Sequence, residues 1–86
     1  MSFHKPNLLR REWSLFKNGG DVCCEIWSAG PFYEARLVKS GSVILRDRSR
    51  WAAELRREYC AWRHALEMLG WKQQRAVDRF GTGSRG

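Results

Sequence analysis

The first half of the chain alternates apolar and polar residues in the way that is typical of β-strands. The alternation becomes regular near Glu12 and recurs in four stretches, at about 12–17, 22–27, 32–39 and 42–48. Glycine-containing turn sequences separate these stretches, at 18–21, 28–31 and 40–41. Because turns this short join neighbouring antiparallel strands, the pattern predicts a meander. It has four strands, or three if the stretch at 12–17 stays unpaired.

The period changes from strand-like to helical after Ser49. Apolar residues then recur three or four positions apart, at Trp51, Leu55, Tyr59, Trp62, Leu66 and Leu69. This spacing places them on one face of a helix over residues 50–69. Ser49 is the predicted N-cap, because its hydroxyl can accept a hydrogen bond from the first turn. Gly70 is predicted to end the helix in a left-handed conformation, with Trp71 placed to contact Leu66 in a Schellman motif.

One helix can cover one face of such a sheet. The sequence therefore predicts an α+β fold: a three- or four-stranded antiparallel meander packed on one long C-terminal helix. The 86 residues leave room for a single domain, which we place at 12–71. Residues 1–11 are expected to be a flexible lead-in, and residues 72–86 a basic tail with a disordered end. The tail residues that can form a short helical turn are Ala76, Val77 and Phe80.

Several motifs carry a resemblance to known proteins. They are Trp13, Lys17, Cys24-Glu25-Ile26, Glu34-x-Arg36, the Gly41 hairpin and the helix that ends in Gly70-Trp71. In these features the chain resembles small uncharacterised bacterial proteins with a strand-rich half and a helix ending in Gly-Trp. This resemblance covers residues 12–71 and implies the fold but no activity. In topology alone, the order of strands and helix is also similar to the βββα DNA-binding domains of the AP2 and integrase arm-binding types.

Composition adds a basic surface to this picture. Sixteen Lys and Arg against nine Asp and Glu give a net charge of +7, and twelve of the sixteen are Arg. Such a surface favours polyanions at low salt. No apolar run reaches the roughly 18 residues of a membrane span, and residues 1–11 lack the apolar core of a secretory signal. Three cysteines, two of them adjacent, do not suit a disulfide framework, so we expect reduced thiols and a cytoplasmic protein.

Residues with metal or catalytic chemistry are few. Cys60 and His64 share a helix face and can supply two metal ligands, with Cys23 or Cys24 as a third. A structural zinc site, however, needs four ligands. Cys60 is also predicted to lie in mid-helix, far from the positive helix N-terminus that can activate a catalytic thiol. We therefore expect no metal, no cofactor and no enzymatic activity.

Arginines alternate at the end of the fourth strand. Alternating guanidinium groups share one face of a strand and can meet a run of phosphates, and an aromatic ring beside them can stack on bases. The same arginines can instead pair with Glu25 and Glu34 across the sheet, which would neutralise them. The residues predicted to bind nucleic acid, either DNA or RNA, are Arg36, Arg46, Arg48, Arg50 and Trp27.

The run Val43-Ile44-Leu45 breaks the alternation, because three consecutive apolar residues cannot all face one side of a strand. Two registers of the last hairpin remain open. A two-residue turn at Ser40-Gly41 would oppose Val38 to Val43 and Arg36 to Leu45. A three-residue loop would oppose Arg36 to Arg46 instead. Because opposed arginines repel each other, we favour the two-residue turn.

Both registers place apolar side chains on both faces of the sheet, and the helix covers only one. The tail, a second copy of the chain or a foreign partner would have to cover the other face. We therefore expect a non-enzymatic binding domain that engages a protein partner or itself through its open sheet face, with nucleic-acid binding as the alternative. The residues predicted for the protein interface are Val38, Val43 and Leu45.

Overall fold

The computed structural model describes residues 5–73, which form one sheet and one helix. Its elements are β1 (Asn7–Lys17), β2 (Gly20–Ala29), β3 (Phe32–Lys39), β4 (Ser42–Ser49) and α1 (Ala52–Met68). The strands pair antiparallel in the order β1-β2-β3-β4, so the predicted α+β meander is confirmed in its four-stranded form. The expectations for residues 1–4 and for the tail beyond residue 73, including Ala76, Val77 and Phe80, lie outside the described residues.

The turns follow the chemistry of their residues. Asn18 and Gly19 have φ angles of 51° and 81°, and Ser40 and Gly41 have 51° and 82°. Positive φ at both central residues defines the type I′ hairpin, whose twist matches that of the flanking strands. The two-residue turns at these positions thereby fix where β2 and β4 begin.

Strand β1 begins at Asn7, so the prediction of a flexible lead-in over residues 1–11 is wrong for its last five residues. Two bulges explain why the sequence pattern did not indicate the first half of this strand. They insert Leu9 and Glu12 as extra residues relative to β2. Each bulge reverses the alternation of faces, so the sequence before Trp13 does not read as a strand.

The hydrophobic core lies between α1 and one face of the sheet, which we call the helix side. Its buried residues form two adjoining clusters, comprising Cys24, Ile26, Ala35, Leu55 and Tyr59 in one and Leu15, Val22 and Leu37 in the other. Trp13 and Trp62 pack against both clusters. The ends of the predicted helical stripe are not buried, since Trp51 and Leu69 are each 64% exposed. The middle of the helix, and not its two ends, therefore packs against the sheet.

The start of α1 differs from the prediction. Trp51, and not Ser49, occupies the N-cap position, and its side chain makes no capping hydrogen bond. The Ser49 hydroxyl accepts from the Trp51 backbone N–H at 3.0 Å and donates to the Glu54 carboxylate at 2.9 Å. Ser49 thus stabilises the approach to the helix from the last position of β4.

The end of α1 agrees with the prediction. Gly70 has a φ of 98°, the Trp71 N–H donates to the Leu66 carbonyl at 3.0 Å, and the Gly70 N–H donates to the Glu67 carbonyl at 3.0 Å. These two bonds define a Schellman motif. The Lys17 ammonium also donates to the Leu69 carbonyl at 2.6 Å, which ties the helix end to β1.

The last hairpin combines features of both predicted registers. Its turn has two residues, as favoured, but a bulge at Ile44 shifts the pairing beyond it. Arg36 consequently faces Arg46 and not Leu45, so the favoured register is wrong past the bulge. The repulsion that argued against this register is offset, because Arg36 pairs with Glu34 at 2.6 Å. The bulge also brings Leu45 to the helix side, opposite buried Leu37.

Candidate functional site on the open face

The face of the sheet away from α1, which we call the open face, carries a row of charged residues across all four strands. In the strand register, Arg11 lies opposite Glu25, Glu25 opposite Arg36, and Arg36 opposite Arg46. A neighbouring row contains Trp27, Glu34 and Arg48. The register therefore brings Arg36, Arg46, Arg48 and Trp27, all predicted for nucleic acid, onto one face.

Glu34 occupies the centre of this arrangement. It is only 1% exposed, although it lies on the face that α1 does not cover. The Arg36 Nε donates to Glu34 Oε2 at 2.6 Å, and the Arg48 Nη2 donates to Glu34 Oε1 at 2.9 Å. Burial raises the pKa of Glu34, but the hydrogen bonds and charges of the two arginines outweigh it, so its pKa lies below the usual value. Glu34 is thus a carboxylate that holds two guanidinium groups above it.

Two aromatic rings complete the layer. The Arg36 Cζ lies 4.2 Å from the centroid of the Trp27 ring, and the Trp27 Nε1 donates to Glu25 Oε1 at 3.1 Å. The Phe32 ring lies beside the guanidinium groups of Arg48 and Arg50, whose Cζ atoms are 6.0 and 5.5 Å from its centroid. Cation–π contacts of this kind contribute about 0.5–1 kcal/mol each at exposed sites. They also bring Arg50, the fifth predicted residue, to the edge of the cluster.

The arginines of this cluster differ in how much charge they present to solvent. The side chain of Arg36 is 19% exposed, whereas that of Arg48 is 55% exposed. Arg46 and Arg50 are exposed, and neither makes an ion pair within residues 5–73. The predicted neutralisation of arginines by glutamates therefore holds for Arg36 and Arg48, which both pair with Glu34. Glu25 pairs with Arg11, at 3.5 Å, and not with Arg36.

The three residues predicted for a protein interface do not form one surface. Val38 and Val43 face each other, on the same side of the sheet as Cys23. Leu45 lies on the helix side, because the bulge at Ile44 separates its orientation from that of Val43. The expected apolar open face is thus reduced to the corner at Val38 and Val43, and charged side chains occupy its middle.

The cysteines lie apart from one another. Cys60 is exposed on α1, whereas Cys24 is buried in the core, where burial raises its pKa to about 12. Among the residues that the structure describes, no group of three or more His, Cys, Asp or Glu side chains is placed to hold a metal ion. Over the same residues, no helix is long and apolar enough to cross a bilayer.

Three residues of the open-face cluster were absent from the predicted site. Glu34 had a visible signal, since Glu34-x-Arg36 spacing puts both side chains on one face of a strand. Phe32 lies two residues before Glu34 and so on the same face of β3, but it stands next to the turn, where strand pairing is hard to predict. Arg11 was hidden by the bulges in β1.

A scan of the chain against protein-family models, a search of curated proteins and a search of solved structures each found no match.

Proposed function

We propose that this chain is a non-enzymatic nucleic-acid-binding domain whose open face contacts the phosphates of a single strand. The observation that carries the proposal is the buried carboxylate of Glu34 beneath a layer of guanidinium groups. A net charge of +7 adds long-range attraction for a polyanion.

Glu34 leaves most of the arginine donors free. A guanidinium group has five N–H donors in a fixed plane. Arg36 uses its Nε toward Glu34, and Arg48 uses its Nε and Nη2, at 3.3 and 2.9 Å. Arg46 makes no side-chain hydrogen bond to any residue in the described range. Because Glu34 holds Arg36 and Arg48, the geometry of their free donors is set before a phosphate arrives, which lowers the ordering cost of binding. Arg46 adds an exposed charge beside them.

The aromatic component favours a single strand. Bases of a single strand are free to stack on rings and guanidinium planes, whereas those of a duplex are stacked on each other. Phe32 lies between Arg48 and Arg50 at the edge of the open face, where a splayed base can reach it. Helix α1 packs on the opposite side of the sheet, so it is not part of this surface.

The test is fluorescence anisotropy with a labelled 12-nucleotide strand of dT, and of U, at several salt concentrations. The Arg46→Gln variant is compared with Arg63→Gln, which removes the same charge from α1, where Arg63 pairs with Glu67 at 3.1 Å. Loss of one phosphate contact should weaken binding about fivefold or more at low salt and reduce the salt slope by about one ion. Equal slopes for the two variants, or no binding of either strand at low salt, would refute the proposal. The ratio of the dT and U affinities identifies the nucleic acid preferred.

We propose protein association through the edge of β4 as a second candidate. Val43, Ile44 and Leu45 are 38%, 50% and 47% exposed, and the outer edge of β4 pairs with no strand among residues 5–73. An exposed edge can accept an added strand from a partner. Because Arg46 and Arg48 follow the apolar run, the partner that fits is an extended acidic segment with apolar residues. The bulge at Ile44 interrupts the hydrogen-bonding edge, which is why this function ranks second.

A synthetic peptide of alternating Val and Glu probes this edge by calorimetry. Ile44→Lys should abolish binding of the peptide, and Ala61→Lys, which introduces the same side chain at an exposed position of α1, should not. Binding that survives Ile44→Lys, or a concentration-dependent solution mass showing that a second copy occupies the edge, would contradict an acidic partner there.

A further inference from the structure

A cleft opens between β1 and the first half of α1, on the helix side of the sheet. Its volume is about 720 Å³. Helix α1 lies closest to β3 and β4, so within residues 5–73 it leaves the part of β1 around Arg10 uncovered. The four-stranded sheet separates this cleft from the open face, and the two sites share none of the residues that define them.

The floor of the cleft is apolar and buried. Ile26 from β2 and Leu55 from α1 line it, and they are 3% and 2% exposed. Ala52 and Ala53 form the helix wall, and their small side chains leave the space open. An apolar body that enters the cleft would therefore be removed from water on several sides, which is favourable at about 25 cal/mol per Å².

The rim of the cleft is basic. Among the described residues, Arg10, Arg56 and Arg57 line it, against a single carboxylate, that of Glu12. Glu12 already accepts a hydrogen bond from the Arg10 Nε at 2.6 Å. The first turn of α1 also lines the cleft, and the N-terminal end of a helix carries a positive partial charge. The rim thus favours a negative group on a ligand whose body fills the apolar floor.

We propose that this cleft binds an amphipathic organic anion, with an aliphatic body on Ile26 and Leu55 and a carboxylate at Arg10 and Arg56. Its volume falls within the range of about 300–1,000 Å³ that is typical of small-molecule sites. The buried Tyr59 also lines the cleft and adds a phenol group to it. The cleft therefore combines an apolar floor with a few convergent polar groups.

Decanoate serves as the probe, with decanol as its uncharged counterpart, in an amide NMR titration of the full chain. Decanoate should shift the resonances of residues at the cleft, such as Ile26, Ala53 and Cys60, with a dissociation constant at least tenfold below that of decanol. Similar affinities for the two compounds, or shifts centred on Val43 to Leu45, would overturn the assignment.

Two matched pairs of variants separate the apolar and charged parts of the site. Ala53→Phe fills the cleft and should weaken decanoate binding tenfold or more, whereas Ala61→Phe, an exposed helix position outside it, should leave binding unchanged. Arg56→Gln should weaken decanoate binding but not decanol binding, and Arg63→Gln should affect neither. The proposal is wrong if the members of either pair behave alike. Anisotropy with the dT strand tests the open face separately, so failure at the cleft leaves that result untouched.

Discussion

Replacing Glu34 by Gln tests the role of the carboxylate beneath the arginine layer. The substitution keeps the shape of the side chain and removes its charge. The amide nitrogen would then face one of the guanidinium groups, donor against donor. We expect Arg36 and Arg48 to lose their shared anchor, and the folded state to be destabilised.

The size of the effect follows from burial. A hydrogen bond to a charged group contributes about 1.5–3 kcal/mol, and breaking a fully buried ion pair costs about 3–5 kcal/mol. Glu34 is 1% exposed, but the side chain of Arg48 is 55% exposed, so solvent screens part of the interaction. We therefore expect a loss of about 2 kcal/mol, which for a domain of this size lowers Tm by roughly 8–16 °C.

The assay is thermal unfolding followed by circular dichroism at pH 7 and at lower pH. Because the two arginines hold the folded pKa of Glu34 below its unfolded value of about 4.3, its contribution is complete above roughly pH 5 and is lost as the pH falls through the folded pKa. The difference in Tm between the parent and Glu34→Gln should therefore be largest near neutral pH and shrink in acid.

Glu58→Gln is the matched control, since Glu58 is exposed on α1 and forms no ion pair within the described part of the chain. It should change the neutral-pH Tm by only a degree or two. If the Tm of Glu34→Gln equals that of Glu58→Gln at pH 7, Glu34 does not anchor the layer. The same conclusion follows if the Tm difference between Glu34→Gln and the parent grows as the pH falls.

Three further changes test the core, the helix end and the thiols. Trp62→Ala should cost about 3 kcal/mol in urea unfolding, because Trp62 packs against both core clusters; an unchanged urea midpoint would exclude Trp62 from the core. Gly70→Val should cost about 2 kcal/mol, because Gly70 has a φ of 98° that a β-branched residue resists, while a Cβ at this position would meet the flexible end of Lys17; a parental midpoint would mean that the helix end relaxes freely. At pH 8 iodoacetamide should modify exposed Cys60 quickly and buried Cys24, with a pKa of about 12, only after denaturation; fast modification of Cys24 in the folded protein would contradict its burial.

The fold was predictable where the local chemistry is strong. Asn18-Gly19 and Ser40-Gly41 are turn dipeptides, and the change of period after Ser49 separates sheet from helix. Bulges were not predictable, because an inserted residue leaves no distinctive composition. The two bulges in β1 concealed its first half, and the bulge at Ile44 produced a register that matched neither alternative completely.

The open-face cluster was predictable in part for the same reason. Arg46 and Arg48 share a face because both lie beyond the bulge, where spacing by two is preserved. Like-charge repulsion disfavours the opposition of Arg36 and Arg46, and the sequence alone does not show that Glu34 is buried between guanidinium groups. The cleft beside Arg10 depends on where α1 crosses the sheet, and a helical pattern contains no information on that position.

The arginine layer also bears on the choice between the two partners proposed for this chain. An open sheet has no second apolar layer on its free face. Here two arginine side chains lie over that face: Arg36 stacks on the Trp27 ring, and Arg48 donates a hydrogen bond to Glu34. An apolar partner docking on this face would have to strip water from Arg46 and Arg48 without replacing their hydrogen bonds, at the cost that attends any buried unpaired charge. A phosphate replaces those hydrogen bonds and balances the charge. This argument supports the proposal of a polyanion over that of an apolar surface, and the salt dependence of binding is the measurement that distinguishes the two: it should be steep for a polyanion and shallow for an apolar partner.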